Sequence, residues 1–390
     1  MKRYQLLIGA CVLVAVSACA CSQDNGSTAP TGGTNVGKNP EKELIYSSVA
    51  ESQEAYIRSL QTSTGALNYT PTGTRLCAYF SNYAAIGLLT RPGMTNEKIV
   101  KEYMDWYIGK LNGNINPKTG GAEIPGSVYD YQISNGEEIT NGTYDSVDSY
   151  AASFLILAEK LMNISVDNEN WLRQRSEKLN LVASALIACI DSPSVKVPED
   201  FSADDNDYLS VASFVYPAKY LMDNCEVYRG LLAAKRLQDR GVITDSVDYK
   251  FYLDKNAEGI ESQLWNNGSY KWLDQPGNKC NWNNFYADAV AQLTPVMMGV
   301  IKANDSRAIS LWNEFNNHFG EWSSGHNYSD FPWVFICFGA ASMGDKDRVD
   351  AFVKHIYSFT SKSSQKKYWY SAEAGELMIA MDLIKNNTTF

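Results

Sequence analysis

Two carboxylates three residues apart open a predicted helix that is apolar on almost every side. They are Asp145 and Asp148, and the spacing places both side chains on nearly the same side of the first helical turn. A carboxylate held at a helix N-terminus and facing a cavity can act as a general base or bind a hydroxyl group of a ligand. The same spacing fits a variant of the capping box, with Asp145 as the N-cap. A catalytic and a structural interpretation therefore both remain open.

A third acidic residue, Asp130, lies between Tyr129 and Tyr131 in a long glycine-rich connection. Neighbouring aromatic rings create an environment that can raise the pKa of a carboxyl group, as a general acid requires. A loop aspartate that stabilises a turn would give the same pattern. We predict Asp130, Asp145 and Asp148 as the candidate catalytic residues.

Aromatic residues are concentrated in the long connections and at the starts of predicted buried helices. Their planes could cover the apolar C–H faces of sugar rings while nearby acids and amides bind the hydroxyl groups. Packing beneath the loop explains any single tryptophan equally well, and acids in a first helical turn also favour the helix dipole. The predicted ligand-binding residues on this basis are Tyr129, Trp272, Trp282, Asp288, Trp333 and Glu373.

These residues lie on a repeating pattern of helices. Amphipathic segments such as residues 99–111 and 349–359 bury one side, whereas the segments that follow the long connections are apolar all round and should be buried on every side. The stretches 225–240 and 249–265 suggest an additional outer helix at one position of the ring. The predicted inner helices begin near Tyr79, Asp145, Asp207, Tyr286, Asp330 and Glu373.

The connections between these helices are unequal in length. Links from inner to outer helices are short, as at residues 304–305, and links from outer to inner helices are long, as at residues 112–144. In a ring of antiparallel pairs all the long links fall on one face, where scaffolds carry function. We therefore predict an all-α fold, an (α/α)6 toroid of six inner and six outer helices with long loops on one face.

The N-terminal segment has the pattern of an export signal. Residues 1–18 combine a basic start with an apolar run too short for a permanent membrane span. The tetrapeptide Val-Ser-Ala-Cys that ends at Cys19 resembles the bacterial lipobox and predicts lipid attachment there; an ordinary signal peptide is the alternative. Residues 19–41 then form a flexible tether and residues 42–390 the toroid. We expect an exported domain outside the cytoplasm that touches the cell membrane only through its N-terminal lipid.

The overall composition disfavours several classes of function. The chain carries 34 basic and 44 acidic side chains, a formal net charge of −10 at pH 7, which disfavours binding to nucleic acid and to strongly anionic polymers. Only three histidines are present, and the spacings typical of a catalytic zinc site are missing from the sequence, as is a glycine-rich nucleotide fingerprint. We predict no metal and no cofactor, and expect a monomer.

Three segments carry a resemblance to a known family. They are YMDWYIGKLN at residues 103–112, SVYDY at 127–131 and YDSVDSYAASFL at 144–155. The chain resembles uncharacterised bacterial members of the six-hairpin glycosidase superfamily, and the similarity covers about residues 44–385 as a helix pattern. The Asp145-x-x-Asp148 opening is also distantly similar to the second inner helix of glycoside hydrolase family 8.

The resemblance implies an inverting glycosidase that cleaves a poly- or oligosaccharide with a carboxylic acid and a carboxylate base, standing about 6.5–9.5 Å apart. It also implies that Tyr79 and Asn82 bind substrate. Family 8 enzymes carry the glutamate that acts as general acid just before the first inner helix, but residues 65–89 of this chain contain no Asp or Glu. The proton donor would then be Asp130 or Asp148, or the chain has none. A non-catalytic glycan-binding lipoprotein remains the alternative, with a polysaccharide lyase or sugar epimerase third, because fold does not fix function.

Overall fold

The structure is a computed structural model that describes residues 40–200, 202, 206–360 and 369–390. The described part is mainly helical and contains a few short strands. None of its helices is both long and apolar enough to span a membrane. The predicted signal peptide and almost all of the predicted tether, including Cys19, lie outside the described residues.

The helices follow one another along the chain with few interruptions. In chain order they are α1 (Pro40–Ser59), α2 (Ala78–Leu89), α3 (Met94–Gly109), α4 (Asp148–Met162), α5 (Val166–Arg173), α6 (Ser176–Ala188), α7 (Leu221–Asp239), α8 (Tyr249–Gly259), α9 (Thr294–Met297), α10 (Ser306–Phe319), α11 (Phe335–Ser342), α12 (Lys346–Thr360) and α13 (Ser371–Asn386). A three-stranded antiparallel sheet contains β1 (Arg75–Leu76), β2 (Tyr131–Ser134) and β3 (Glu137–Ile139), and a hairpin contains β4 (Trp265–Asn266) and β5 (Ser269–Tyr270).

Six helices close into an inner ring. Helices α2, α4, α7, α9, α11 and α13 each pack against the next, and α13 packs back against α2. The remaining helices α1, α3, α5 with α6, α8, α10 and α12 alternate with them along the chain and form the outer layer. The predicted all-α double ring of six inner and six outer positions is confirmed.

The burial of α2 illustrates why an all-apolar helix belongs to the inner ring. Every residue of α2 except Tyr79 is buried. Close approach between α2 and α13 depends on two glycines, because a Cβ on Gly87 would lie 2.4 Å from Gly375 Cα. A Cβ on Gly375 would lie 2.1 Å from the carbonyl oxygen of Tyr83. The absence of side chains at these two positions lets the first and last inner helices meet and close the ring.

The third inner helix differs from its prediction. Residues 207–220 were expected to form its first part, but they belong to a loop, and α7 begins at Leu221. Pro217 lacks a backbone donor and disfavours a helical residue before it, and the Asp207 carboxylate accepts a hydrogen bond from Leu209 N at 2.9 Å instead of leaving that group to a helix. The expected additional outer helix over residues 225–240 is therefore wrong, since these residues are the inner helix itself.

Two further positions of the ring are irregular. The doubled outer unit is α5 with α6, which precedes α7 in the chain, whereas the doubling was predicted at residues 225–265. The fourth inner position is a π-turn at Phe285–Ala289 followed by the short helix α9, where one longer helix was expected. The fifth inner helix begins at Phe335, and Asp330 lies exposed in the loop before it.

Candidate active site

A cavity of about 780 Å³, including its open mouth, lies at the N-terminal ends of α2, α4 and α7. Its position on the face of the long loops is the one that the unequal connections predicted. The lining residues are Arg75, Cys77, Tyr79, Phe80, Asp145, Ser146, Ser149, Tyr150, Tyr220, Met222, Asp223, Glu226, Trp272, Tyr286, Ala287 and Ala291.

The start of α7 contributes two carboxyl groups to the cavity wall. Asp223 and Glu226 are three residues apart and share one face of the helix. Glu226 is 2% exposed, and its Oε1 accepts hydrogen bonds from the hydroxyls of Tyr79, at 2.6 Å, and Tyr83, at 2.8 Å. Burial raises the pKa of Glu226 to about 7, although the tyrosine donors oppose this shift.

Asp223 is less buried than Glu226 and lies nearer the start of the helix. Burial, together with the negative charges of Asp148 and Glu226, holds the pKa of Asp223 well above its usual range. Carboxyl groups that interact this closely titrate as a coupled set, so the group retains a proton at a pH where isolated carboxyls have lost theirs. The cavity thus contains a carboxyl group that keeps its proton to a higher pH than an ordinary aspartate does.

Asp145 also lines the cavity, as predicted, in the residues that lead into α4. The hydroxyl oxygen of Ser146 accepts a hydrogen bond from Ser149 N at 3.2 Å, and the N-cap position is occupied by Val147. The capping interpretation of Asp145 is therefore wrong. Its half-buried side chain is left at the cavity wall beside the positive end of a helix dipole, which favours the ionised form.

Asp148 occupies a different environment from Asp145. Its side chain is 0% exposed and does not line the cavity. It accepts hydrogen bonds from the Ser146 hydroxyl, from Ser149 N at 2.8 Å and from the Ser210 hydroxyl at 2.6 Å, and burial raises its pKa to about 6. These contacts attach the loop before α7 to the start of α4. Asp148, predicted as a catalytic residue, is thus placed behind the cavity lining, where it supports the start of α4.

Asp130 lies behind the cavity wall. Its carboxylate accepts hydrogen bonds from Arg75 Nη2 and from the Tyr150 hydroxyl, both at 2.9 Å, and both partners line the cavity. The pairing of β1 with β2, in which Arg75 is opposite Gln132, brings the guanidinium beside this carboxylate. Asp130 therefore orients two wall residues and does not itself line the cavity.

Among the predicted ligand-binding residues, Tyr79 and Trp272 line the cavity. The Trp272 ring stacks on Tyr220 with centroids 6.0 Å apart and planes 16° apart. The carbonyl oxygen of Trp272 accepts a hydrogen bond from Leu221 N at 3.0 Å, which attaches this loop to the first turn of α7. These residues give the cavity an aromatic wall next to its carboxyl groups.

Three other predicted aromatics are not among the residues that line the cavity. The Tyr129 hydroxyl donates to Glu123 at 2.6 Å, and its ring is buried within the long loop. Trp282 stacks on His318 with centroids 6.2 Å apart, and Trp333 is 4% exposed in a cluster of aromatic rings. Packing beneath the loops therefore accounts for the positions of Tyr129, Trp282 and Trp333.

The polar residues Asn82, Asp288 and Glu373 are buried and also do not line the cavity. Asn82 Oδ1 accepts a hydrogen bond from the Tyr103 hydroxyl at 2.7 Å, between α2 and α3. Asp288 accepts one from Asn281 N at 2.8 Å and fixes the preceding loop. Glu373 Oε2 accepts from the backbone N–H just before α11 at 3.0 Å. Their contacts are those of structural side chains that satisfy backbone and hydroxyl donors.

The sequence contained a signal for the residues that were missed. Asp223 and Glu226 repeat the pattern of two acids three apart at the start of a buried helix, which drew attention to Asp145 and Asp148. The predicted helix boundary separated them, since one expected segment ended at Asp223 and the next began after it. In the described residues, no group of three or more His, Cys, Asp or Glu side chains is arranged to hold a metal ion.

Solved structures with the same architecture identify the fold. The chain superposes on the glucoamylase of Hormoconis resinae with a TM-score of 0.58 at 10% identity, covering 88% of this chain and 74% of that one. It superposes on a glycosidase variant in complex with glucose with a TM-score of 0.58 at 11% identity, covering 89% and 98% of the two chains. The chain has a six-hairpin glycosidase-like fold.

A third neighbour is a novel alpha-amylase from Clostridium perfringens, with a TM-score of 0.55 at 10% identity over 86% of this chain and 97% of that one. No protein-family model matches the sequence, and a search of curated proteins gave no match. At these identities the likeness to solved structures concerns the fold of this six-hairpin chain and not its catalytic residues.

Proposed function

We propose that this protein is a glycoside hydrolase that cleaves a poly- or oligosaccharide in the cavity at the N-terminal ends of α2, α4 and α7. The observation that carries the proposal is the set of three carboxyl groups, Asp145, Asp223 and Glu226, in the wall of one aromatic-lined cavity. Glycosidic bond cleavage needs one carboxylic acid to protonate the leaving oxygen and one carboxylate to activate water or attack the sugar. The glycosidase-like fold supports the same conclusion.

The proton donor in this proposal is Asp223. It is more accessible than Glu226, and burial together with the neighbouring negative charges raises its pKa, which favours the protonated form that a general acid requires. Glu226 is held by hydrogen bonds from Tyr79 and Tyr83, and its negative charge contributes to the raised pKa of Asp223. Activity should therefore fall as the pH rises through the raised pKa of Asp223, because the proton donor is then lost.

Asp145 is the proposed base. It belongs to the neighbouring inner helix, at a position where the helix dipole favours a carboxylate. We propose a single displacement in which Asp145 removes a proton from water while Asp223 protonates the departing sugar oxygen, so that the anomeric configuration is inverted.

A panel of polysaccharides and oligosaccharides tests the proposal, with residues 40–390 as the protein. New reducing ends measured after incubation would support hydrolysis, and proton NMR of the first product formed would report whether its anomeric configuration is inverted. Asp223→Asn is the inactive control. Retention of a saccharide without any new reducing ends would instead support the glycan-binding alternative.

We also propose that the protein is exported and anchored to the cell membrane by a lipid on Cys19. This proposal rests on the lipobox-like sequence alone. Metabolic labelling with radioactive palmitate should label the full chain and not the Cys19→Ala variant. Equal labelling of both chains would contradict lipid attachment at this residue.

A further inference from the structure

Three aromatic rings lead from the protein surface into the cavity. Trp272 and Tyr220 line the cavity wall, and their near-parallel planes stand 16° apart. Tyr216 stacks on the other end of this pair, with its ring centroid 6.4 Å from that of Tyr220 and its plane 19° away. The cavity wall is thus continuous with an aromatic side chain on the exterior.

The loop that carries Tyr216 presents apolar side chains to water. Phe214 is 37% exposed, Val215 is 86% exposed and Tyr216 is 39% exposed. The base of this loop is closed by a hydrogen bond from Ala212 N to Ala218 O at 2.9 Å. Contiguous apolar exposure of this kind is typical of a surface that binds something.

The loop is also anchored from below. The Lys219 side chain is 0% exposed and forms ion pairs with Asp191, at 2.9 Å, and with Asp200 and Asp207, both at 2.8 Å. Lys219 O accepts a hydrogen bond from Asp274 N at 2.9 Å, which ties the loop to the segment that carries the cavity tryptophan. These contacts hold the loop in place, so its aromatic side chains lose less conformational entropy when a ligand binds.

We propose that Tyr216 and Phe214 form an outer subsite that binds the part of a saccharide chain extending out of the cavity. This inference rests on the proposed function and adds that the substrate is a chain longer than the portion the cavity holds. Aromatic planes suit the apolar faces of sugar rings, and the series of three rings connects the cavity wall to the exposed loop. The exposed patch has only three residues, far fewer than the roughly 20 to 30 on each side of a stable protein interface.

Binding of matched long and short saccharides tests this subsite. The probes are maltoheptaose, cellohexaose and xylohexaose, each paired with its disaccharide, and calorimetry measures the dissociation constants. Tyr216→Ala should weaken binding of the long probe about five- to tenfold and leave the disaccharide unchanged, because a stacked aromatic pair contributes a modest free energy. Tyr216→Phe should keep most of the affinity, since it retains the ring.

Tyr357→Ala is the matched control, because Tyr357 is 38% exposed on the outer helix α12 and distant in sequence from the loop. It should bind every probe as the unmodified protein does. Equal weakening of long and short probes by Tyr216→Ala would mean that Tyr216 acts only by supporting Tyr220, and would overturn the proposal. Unchanged binding of the long probes, or no binding of any long probe to the unmodified protein, would overturn it as well.

The outcome is separable from that of the proposed function. If a long probe binds in a Tyr216-dependent way but is never cleaved, the outer subsite stands and the hydrolase proposal fails. If a probe is cleaved and Tyr216→Ala changes neither its affinity nor its KM, the hydrolase proposal stands and the subsite is rejected.

Discussion

The Tyr79 hydroxyl donates a hydrogen bond to Glu226 Oε1 at 2.6 Å and so joins the first and third inner helices at the cavity. Tyr79 is the one residue of α2 that is not buried, and Glu226 is 2% exposed on α7. A partly exposed tyrosine of the cavity wall is therefore hydrogen-bonded to a carboxyl group that is almost inaccessible to solvent. This contact makes the protonation of Glu226 sensitive to changes at the site, and it makes the site sensitive to the packing of the ring.

Removing the charge of Glu226 should change how stability depends on pH. The pKa of Glu226 is about 7 in the folded protein and near the ordinary value of 4.5 in the unfolded chain, so the folded state holds the extra proton between these values. Stability should then fall as the pH rises through this window, by up to about 3 kcal/mol, and Glu226→Gln should abolish this fall. Urea unfolding at pH 5 and pH 8 measures the effect. An identical pH dependence in both proteins would contradict it.

The two proposed catalytic carboxyls should respond differently to the leaving group. Asp223→Asn should reduce the kcat for an unactivated oligosaccharide by about 10²–10⁴ but spare a dinitrophenyl glycoside, whose leaving group needs no proton. Asp145→Asn should reduce the kcat for both substrates, because activation of water is needed in each case. Steady-state kinetics on the two substrates gives the comparison. Equal losses for Asp223→Asn on both would exclude it as the proton donor.

The glycine contact that closes the ring should tolerate no side chain. Gly375→Ala would place a Cβ 2.1 Å from Tyr83 O, so α2 and α13 must separate, at a cost of about 1–3 kcal/mol. The Tyr83 hydroxyl donates to Glu226 at 2.8 Å, so kcat should fall as well. Gly109→Ala is the control, since no atom lies within 4 Å of its added Cβ. Thermal unfolding and kinetics of both variants test this, and equal stability of the two would contradict the expected clash.

The buried Lys219 should be essential for the loop that carries the outer aromatic residues. Lys219→Met would leave three carboxylates without their cation, which should destabilise the protein by about 3–5 kcal/mol at pH 7. Burial already raises the pKa of Asp207 to about 6, and loss of the ammonium should raise it further. A lower pH should therefore restore part of the stability, because protonation removes the unpaired charge.

Urea unfolding of the Lys219→Met variant at pH 5 and pH 7 measures both effects. Lys235→Met is the matched control, because Lys235 forms its ion pair with Asp239 at the surface of α7, and it should change stability little. Similar losses in the two variants would show that the buried cluster has no special role.

Periodicity in the sequence determined the ring, because a helix without a polar side has to be buried all round wherever it lies. The unequal lengths of the connections predicted the face on which the cavity opens, because all the long links of antiparallel pairs lie on one face. The two acids before α4 drew attention to Asp145, which lines the cavity. Local patterns could not separate Asp145 from Asp148, since the sequence predicted both in one helical turn and the two differ only in which neighbours surround them. Ser210 from a distant loop covers Asp148, and nothing in the local sequence indicates that contact.

The carboxyls of α7 were decided by tertiary structure. The boundary at Leu221 depends on a loop that is held by side chains from several elements, and not on the apolar pattern of residues 207–220, which also suits a helix. The position of Asp130 behind the wall depends on Arg75, which is 55 residues away and reaches it through the pairing of β1 with β2. Sequence therefore determined which segments are buried, while contacts between distant segments decided which acids meet the cavity, because burial follows local composition and proximity does not.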